Sequence, residues 1–155
     1  MTLKLSDWAS IAEIVSGVAI VATLVILLLE VRTNTAAVRA ATYQNVADSI
    51  TTTLAARGTD PDVARVWLAG DAGDELEPLD EFRFDVLVTA NMRRFESAFY
   101  QYQIGGIEES QWQGIEYVLS RVIRSPGHRH WWPRAKSSYS LEFQELVEEL
   151  LNAEE

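Results

Sequence analysis

The sequence predicts an all-α protein with one N-terminal transmembrane helix that continues into a long helix and is followed by a small helical bundle domain. Three observations lead to this prediction. A long apolar run lies near the N-terminus, and several later segments carry apolar residues at helical spacing. No segment alternates apolar and polar residues for long enough to indicate a strand. At 155 residues the chain has room for one domain of ordinary size.

The apolar run extends from Trp8 to Leu29 and contains one charged residue, Glu13. At about 1.5 Å per residue its length is about 33 Å, which is close to the hydrocarbon core of a bilayer. A cleaved signal peptide would have a shorter apolar core and small residues at its cleavage site, whereas residues 30–32 read Glu-Val-Arg. A buried helix of a soluble domain would show a polar face, and this run has almost none. Residues 1–30 are therefore predicted to form an N-terminal tail and a transmembrane helix.

Small residues recur within this helix at alternating spacings of three and four, which places them on one helical face. Small side chains let membrane helices approach closely, because packing rather than the hydrophobic effect joins helices in lipid. The pattern predicts self-association through this face, unless it merely reflects how common Ala and Thr are. The predicted oligomerisation face consists of Ala9, Ala12, Ser16, Ala19, Thr23, Ala37 and Ala40.

The same helix can leave the membrane without a break. No proline occurs before Pro61, and the first glycine after Gly17 is Gly58, so residues 31–57 are predicted to form a juxtamembrane helix. Glu13 and Glu30 lie at opposite ends of the apolar run. In an oligomer these carboxylates could form acidic rings at a pore mouth, as in a small ion channel. The plainer interpretation places both in the headgroup zone.

Residues 58–155 are predicted to form an acidic helical domain, in which proline and glycine mark the helix ends. Thr59-Asp60-Pro61 is a helix start, with a capping residue followed by proline in the first turn. That helix is expected to end before Gly70, and the acidic stretch 71–77 is expected to form an exposed loop. Further helices are predicted over about 78–103, 108–124 and from Ser140 onward, with a short aromatic piece after Ser125-Pro126-Gly127.

Apolar residues at helical spacing give each of the three longer predicted helices one face for the core. On the helix that Pro78 opens, this face is Phe84, Leu87, Val88, Phe95, Ala98, Phe99 and Tyr102. On the next helix it is Trp112, Ile115, Leu119, Val122 and Ile123. On the last helix it is Phe143, Leu146, Val147, Leu150 and Leu151.

The composition excludes several kinds of chemistry. The chain has no cysteine, which excludes disulfides, cysteine-ligated iron–sulfur clusters and thiolate zinc sites. Its formal net charge of −10 repels phosphate backbones, so a nucleic acid partner is not expected. No P-loop, G-x-S-x-G, H-E-x-x-H or G-x-G-x-x-G motif occurs. We therefore expect no cofactor, no catalytic residues and no enzymatic activity.

His128 and His130 form an H-x-H pair within the stretch PGHRHWW. Such a pair can bind a metal ion, but the remaining ligands would have to come from elsewhere, and no Glu-x-x-His accompanies it. We expect two partly exposed loop histidines and no metal site. The alternative, a membrane-bound enzyme, would need a pocket lined by His128, Arg94 and carboxylates.

Arg93, Arg94 and Glu96 lie in the middle of the helix predicted over 78–103. Arg93 and Glu96 are three residues apart and can pair on one helix face. A buried arginine would need a carboxylate partner, so the pattern favours a structural ion pair over a binding site.

The segment from Arg121 to Lys136 contains five basic residues and no acid, within a chain that is otherwise strongly acidic. Basic residues around tryptophan suit a membrane surface, where each cation near anionic lipid contributes roughly 1 kcal/mol. In the alternative, both tryptophans pack into the core and the cations meet acids of the last helix, such as Glu142 and Glu149. The predicted membrane-surface contact consists of Arg129, Trp131, Trp132, Arg134 and Lys136.

Three stretches together resemble a group of bacterial single-pass membrane proteins to which no activity is assigned: IAEIVSGVAIVATLVILLLEVRTNTAAVRAATYQ, RRFESAFYQYQIGGI and PGHRHWW. The resemblance covers most of the chain, and it implies a single span and a helical domain but carries no site residues. The predicted location is the bacterial inner membrane. Lys4 and the terminal amine nearly balance Arg32 and Arg39 across the span, and the later basic segment favours a cytoplasmic C-terminal domain.

The leading hypothesis is a membrane-anchored helical interaction or scaffold protein that self-associates through its N-terminal helix. Its expected partners are a second copy of itself in a homo-oligomer, the lipid bilayer and, as a further option, another membrane protein. The alternatives are a small oligomeric ion channel with acidic rings and a membrane-bound enzyme.

Overall fold

The structure, a computed structural model, describes residues 5–153, with side chains described from Glu13 onward. The chain divides into two compact units, Met1–Ala40 and Ala41–Glu155. The second unit begins earlier than residue 58, where the sequence analysis started the helical domain. Most of the predicted juxtamembrane helix therefore belongs to the folded domain.

The all-α prediction is confirmed over the described residues, which hold six α-helices, one short 3-10 helix and no strand. The long first helix ends at Thr59, slightly beyond the predicted end at residue 57, because no residue before Asp60-Pro61 stops it. The helices are α1 (Leu5–Thr59), α2 (Pro61–Ala72), α3 (Pro78–Gln103), α4 (Glu109–Ile123), α5 (Pro126–Ala135) and α6 (Leu141–Asn152), with the 3-10 helix at Lys136–Ser138.

In the first unit, α1 presents apolar side chains on every face. The large apolar residues between Ile14 and Val31 are all exposed, from 49% for Leu27 to 67% for Ile14. Among the described residues, α1 is the one helix that is long and apolar enough to cross a membrane. A helix satisfies its own backbone hydrogen bonds, so this surface can enter lipid without leaving backbone groups unpaired.

In the second unit, the last turns of α1 pack as part of the domain. Val46 is 8% exposed and shares a small core with Ala98, Ile107 and Trp112. Near the end of α1, the guanidinium of Arg57 lies 3.5 Å above the ring centre of Trp67 on α2. These contacts give α1 a buried face from residue 46 onward.

The main core joins α2, α3, α4, α5 and α6 around a group of aromatic rings. Trp132 packs edge-on against Phe143, with ring centres 6.3 Å apart, and Tyr139 lies beside both. The core faces predicted for α3, α4 and α6 are all buried or half-buried. The fully buried members of this core are Val66, Phe84, Val88, Met92, Phe95, Leu119, Ile123, Trp131, Trp132, Tyr139, Phe143 and Val147.

The start of α2 is as predicted, but its end is not. The Asp60 carboxylate accepts hydrogen bonds from the backbone N–H groups of Asp62 and Val63, at 2.9 and 3.3 Å. The helix continues through Gly70 and ends at Gly73, whose φ of 82° is the left-handed conformation that glycine adopts easily. Gly70 serves close packing instead, because a Cβ there would overlap the ring of Phe84.

The stretch Ser125-Pro126-Gly127, predicted as a break before a short aromatic piece, is the start of a regular helix. Ser125 is the N-cap of α5 and Pro126 occupies its first turn. Gly127 brings α5 against α2, because a Cβ at this position would overlap the backbone of Gly70. The absence of a side chain at Gly127 therefore allows α5 to lie against the backbone of α2.

Replacing Gly127 by alanine tests this contact. The added Cβ would meet the Gly70 backbone, which cannot move aside like a side chain, so Gly127→Ala should lower the free energy of unfolding by about 3 kcal/mol. Gly114→Ala is the matched control: it lies within α4, and a Cβ there meets nothing within 4 Å. Alanine at position 114 should raise stability by roughly 0.5–1 kcal/mol. Equal effects of the two changes in denaturant unfolding would contradict the close α2–α5 contact.

Candidate functional site

The two histidines of the H-x-H pair do not form one site. His128 is fully buried and His130 is exposed, and both lie in the helix α5. The expectation of two partly exposed loop histidines is therefore wrong, because neither lies in a loop and His128 is not exposed. Residues two apart on a helix point to different sides, which separates the two imidazoles. Among the described residues, no three His, Asp or Glu side chains come together as a metal site.

Instead, the buried His128 belongs to a polar cluster with the half-buried Asp71 and Ser125. The hydroxyl of Ser125 donates a hydrogen bond of 2.6 Å to Asp71 Oδ1, and His128 Nδ1 lies 3.0 Å from the same oxygen. Because an ionised carboxylate only accepts, the hydrogen on Nδ1 faces Asp71. Asp71 stands in the last turn of α2 and Ser125 caps α5, so the cluster links these two helices.

These hydrogen bonds stabilise the ionised form of Asp71. Burial alone would raise the pKa of this carboxyl, but the hydrogen bonds from His128 and Ser125, with the charge of Arg57, hold its pKa below the usual value. The arrangement of Ser125, His128 and Asp71 differs from that of a catalytic triad with a serine nucleophile. In a catalytic triad the hydroxyl bonds Nε2 and the acid bonds Nδ1, whereas here Ser125 and Asp71 both face Nδ1.

Aromatic rings surround the histidine and separate it from Arg57. The His128 ring lies edge-on to Trp67 and to Phe84, with ring centres 5.5 and 6.2 Å away. The guanidinium of Arg57 lies over the ring of Trp67, 3.5 Å from the ring centre. A cation over tryptophan at this distance is attracted by about 0.5–2 kcal/mol. Trp67 thus connects the aspartate–histidine cluster to the end of α1.

Arg57, Arg94 and Asn91 form a second polar group, here called the arginine cluster. Arg94 donates a 2.6 Å hydrogen bond to Asn91 Oδ1 and a longer one, 3.5 Å, to the backbone oxygen of Ser49 on α1. Buried N–H groups without a partner are left on Arg57 (Nε and Nη2), on Arg94 (Nε) and on Asn91 (Nδ2). Each buried donor left unpaired costs about 1–3 kcal/mol, so this cluster is unfavourable as it stands.

The charges of this cluster are also unbalanced. Burial, followed by the nearby positive charge of Arg94, lowers the pKa of Arg57 to about 10 against an opposing effect of Asp71. Burial likewise lowers the pKa of Arg94. Arginine stays charged at neutral pH even so, and the cost of burial is not relieved by loss of a proton.

Other arginines of the domain show how such groups are usually satisfied. Arg93 pairs with Glu96 at 2.7 Å, which confirms the predicted ion pair. Arg124 is half-buried but donates three hydrogen bonds to the backbone oxygens of Leu150 and Ala153. The arginine cluster has neither a carboxylate nor carbonyls in sufficient number.

Beside the arginine cluster lies a groove of about 200 Å³, here called the α1–α3 groove. No carboxylate lines it. A larger cavity of about 480 Å³ is lined by acids together with His130 and Arg134. Arg94 lines the α1–α3 groove and His128 lines neither of these two cavities. The α1–α3 groove is lined by Thr42, Asn45, Val46, Ser49, Arg94, Ser97 and Gln101.

The predicted membrane-surface contact is wrong for its two tryptophans. Trp131 and Trp132 are 4% and 1% exposed, so they are core residues. Arg134 pairs with Glu81 and Asp85 of α3, and Lys136 donates a 2.9 Å hydrogen bond to Glu148 of α6. Arg129 is exposed. The alternative with buried tryptophans and acid-paired cations describes this segment better, although the acids differ from Glu142 and Glu149.

The predicted oligomerisation face lies on exposed parts of α1 as far as it is described. Ser16, Ala19, Thr23, Ala37 and Ala40 are exposed, and Thr23 donates its hydroxyl to the Ala19 carbonyl at 2.9 Å. The side chains of Ala9 and Ala12 lie outside the described residues. Self-association through this face stays a prediction.

The two carboxylates proposed for a pore mouth or the headgroup zone, Glu13 and Glu30, are also exposed. They flank the apolar stretch of α1, whose side chains are not packed within the first unit. The structure holds one copy of the chain, so acidic rings stay a prediction.

The sequence analysis missed Arg57, Asp71 and Asn91 as members of polar clusters. Asp71 was placed in an exposed loop because Gly70 looked like a helix end. Arg57 and Asn91 carry no motif. Arg57 contacts Trp67 of the next helix only through tertiary packing, and the partner of Asn91 is Arg94 on the same helix. Comparisons with protein-family models, with curated proteins and with solved structures find no match for this chain.

The lowered pKa of Asp71 predicts a pH-dependent contribution to stability. When folding lowers the pKa of a carboxyl group, that group stabilises the fold at pH values above its pKa in the unfolded chain. The stabilisation is lost as the pH falls through the pKa that the group has in the folded protein. Asp71→Asn should therefore lower the thermal midpoint at pH 7, and the difference from the parent protein should shrink below about pH 3.8. Asp74→Asn, an exposed neighbour outside the cluster, should have little effect. A difference that stays constant from pH 7 to pH 3 would contradict the stabilised carboxylate.

Proposed function

We propose that this protein is a membrane-anchored helical interaction or scaffold protein that self-associates through its N-terminal helix. The observation that carries the proposal is the exposure of the large apolar side chains between Ile14 and Val31 on all faces of α1. Burying each such side chain is worth about 1.5–3 kcal/mol, so this surface is unstable in water. A bilayer is the environment that removes all of it at once.

The helix offers a means of association within that bilayer. Ser16, Ala19 and Thr23 lie on one face among larger Val, Ile and Leu residues. Small residues let two helix backbones come into close contact. The hydroxyl of Thr23 is satisfied within its own helix, which lets this face meet lipid or a second helix without an unpaired donor.

The proposed location is the bacterial inner membrane, with the helical domain on the cytoplasmic side. The domain suits an interaction role because several of its large apolar side chains are exposed on its surface and do not belong to its buried core. Leu68, Phe82 and Tyr117 are more than 60% exposed. Exposed apolar residues of this size are common at protein interfaces. We propose that a further membrane protein would bind at these residues.

The proposal is tested first by fractionation and then by association. The full chain should stay in the membrane pellet after an alkaline carbonate wash. In an uncharged detergent, Ser16→Leu combined with Ala19→Leu should weaken self-association by about five- to thirty-fold, because interhelical contacts in membranes contribute roughly 1–2 kcal/mol. The measurement is energy transfer between labelled copies at varied protein-to-detergent ratios.

The matched control replaces Val18 and Val21 by leucine on the opposite face, which should leave association unchanged. Recovery of the protein in the soluble fraction would reject the anchor. A protein that is monomeric at every ratio, or equal weakening by both pairs of substitutions, would reject self-association through the small-residue face.

A further inference from the structure

The region where α1 packs on α3 carries positive charge without a counter-ion. Arg57 and Arg94 have no carboxylate within ion-pair distance among the described residues, whereas Arg65, Arg83, Arg93 and Arg134 each have at least one. Asp71, whose charge acts on Arg57, already accepts hydrogen bonds from Ser125 and His128. In a chain of net charge −10, an acid-free region with two half-buried guanidiniums is a local exception.

The unsatisfied groups of this region are all of one kind. Arg57 Nε and Nη2, Arg94 Nε and Asn91 Nδ2 are buried N–H donors without an acceptor. Asn91 is 1% exposed, so water cannot serve it freely. Of these residues only Arg94 lines the α1–α3 groove, so a negatively charged acceptor bound there would meet the guanidinium of Arg94 and not the donors of Arg57 or Asn91.

The α1–α3 groove gives such a group a place to bind. Its volume of about 200 Å³ is several times the roughly 30 Å³ that one water occupies, which leaves room for a tetrahedral oxyanion. Arg94 lines one wall, and the uncharged donors Thr42, Asn45, Ser97 and Gln101 line the rest. The side chains of these four residues make no hydrogen bond with other described residues, so their donors are available to a ligand.

We propose that the α1–α3 groove binds a phosphate-class oxyanion, with Arg94 as its cationic ligand. The hydroxyls of Thr42 on α1 and Ser97 on α3 donate further hydrogen bonds. Guanidinium suits this ligand because its planar N–H groups match two oxygens at once. The ligand is a free phosphate or the phosphate of a lipid headgroup, which present the same chemistry. The site is formed within the helical domain and does not require self-association.

The first experiment titrates the full chain, in an uncharged detergent, with inorganic phosphate at constant ionic strength. Calorimetry should show saturable binding of one phosphate per chain, and the thermal midpoint should rise with phosphate concentration. Sodium chloride at the same ionic strength should leave the midpoint unchanged. No saturable heat and no midpoint shift in this titration, together with no competition by phospholipid, would overturn the proposal.

Variants identify the groove as the site. Arg94→Gln should weaken phosphate binding by at least about tenfold, because it removes a charge-assisted hydrogen bond. Since Arg94 also contacts Asn91 and Ser49, its loss can disturb folding. Thr42→Val and Ser97→Ala avoid this difficulty, since each should weaken binding by about threefold or more while leaving the phosphate-free thermal midpoint unchanged.

The matched control is Arg121→Gln, which removes the same charge from an exposed position outside the groove. It should leave phosphate affinity within twofold of the parent value. Equal weakening by Arg121→Gln and Arg94→Gln would mean a diffuse charge effect and would overturn the site. Unchanged affinity in both Thr42→Val and Ser97→Ala would do the same.

Reconstitution distinguishes the two sources of the ligand. In vesicles of phosphatidylcholine alone, inorganic phosphate should bind as it does in detergent. In vesicles that also contain phosphatidic acid, loss of inorganic phosphate binding identifies a lipid phosphate as the occupant. Binding that is equal in both vesicle types identifies a free phosphate.

Discussion

The fold depends on two different ways of removing apolar surface from water. Between Ile14 and Val31, α1 has apolar side chains on all faces and no partner within its unit. From Val46 onward the same helix has one buried face, which packs with Ala98, Ile107 and Trp112. The later part of α1 is buried inside the domain, and the earlier part is the one that we propose is buried in lipid.

Inside the domain, close helix contact creates the polar clusters. Gly127 lets α5 approach the backbone of α2, and this places Asp71 next to the N-terminus of α5, where Ser125 and His128 donate hydrogen bonds to it. Trp67 then contacts His128 on one side and Arg57 on another. In the aspartate–histidine cluster, Asp71 accepts hydrogen bonds from Ser125 and His128, and His128 Nε2 is left without a partner. In the arginine cluster four buried N–H donors lack a partner, and this is why we propose an external ligand beside it and a structural role for the first cluster.

Local signals predicted much of this fold and little of its polar interior. Asp60-Pro61 and Pro78 marked helix starts correctly, and helical spacing identified Phe84, Leu119 and Phe143 as core residues, because these features depend on neighbours in sequence. Gly70 and Gly127 were misread as helix ends, since a glycine required for tertiary contact looks the same as one that ends a helix. The burial of His128, Trp131 and Trp132 and the contact of Arg57 with Trp67 depend on which faces meet, and the spacing of residues along the chain does not contain that information.

The most direct test of this account compares fragments 41–155 and 58–155 in buffer without detergent. Fragment 41–155 should be soluble and unfold cooperatively, with a thermal midpoint close to that of the full chain in detergent. Fragment 58–155 loses the contacts of Val46 and Ile50 and exposes Trp112 and Ala98, so its stability should fall by about 2 kcal/mol or more, roughly 8 °C in midpoint. Equal stability of the two fragments, or a fragment 41–155 that aggregates unless detergent is added, would contradict the division of α1 between lipid and domain.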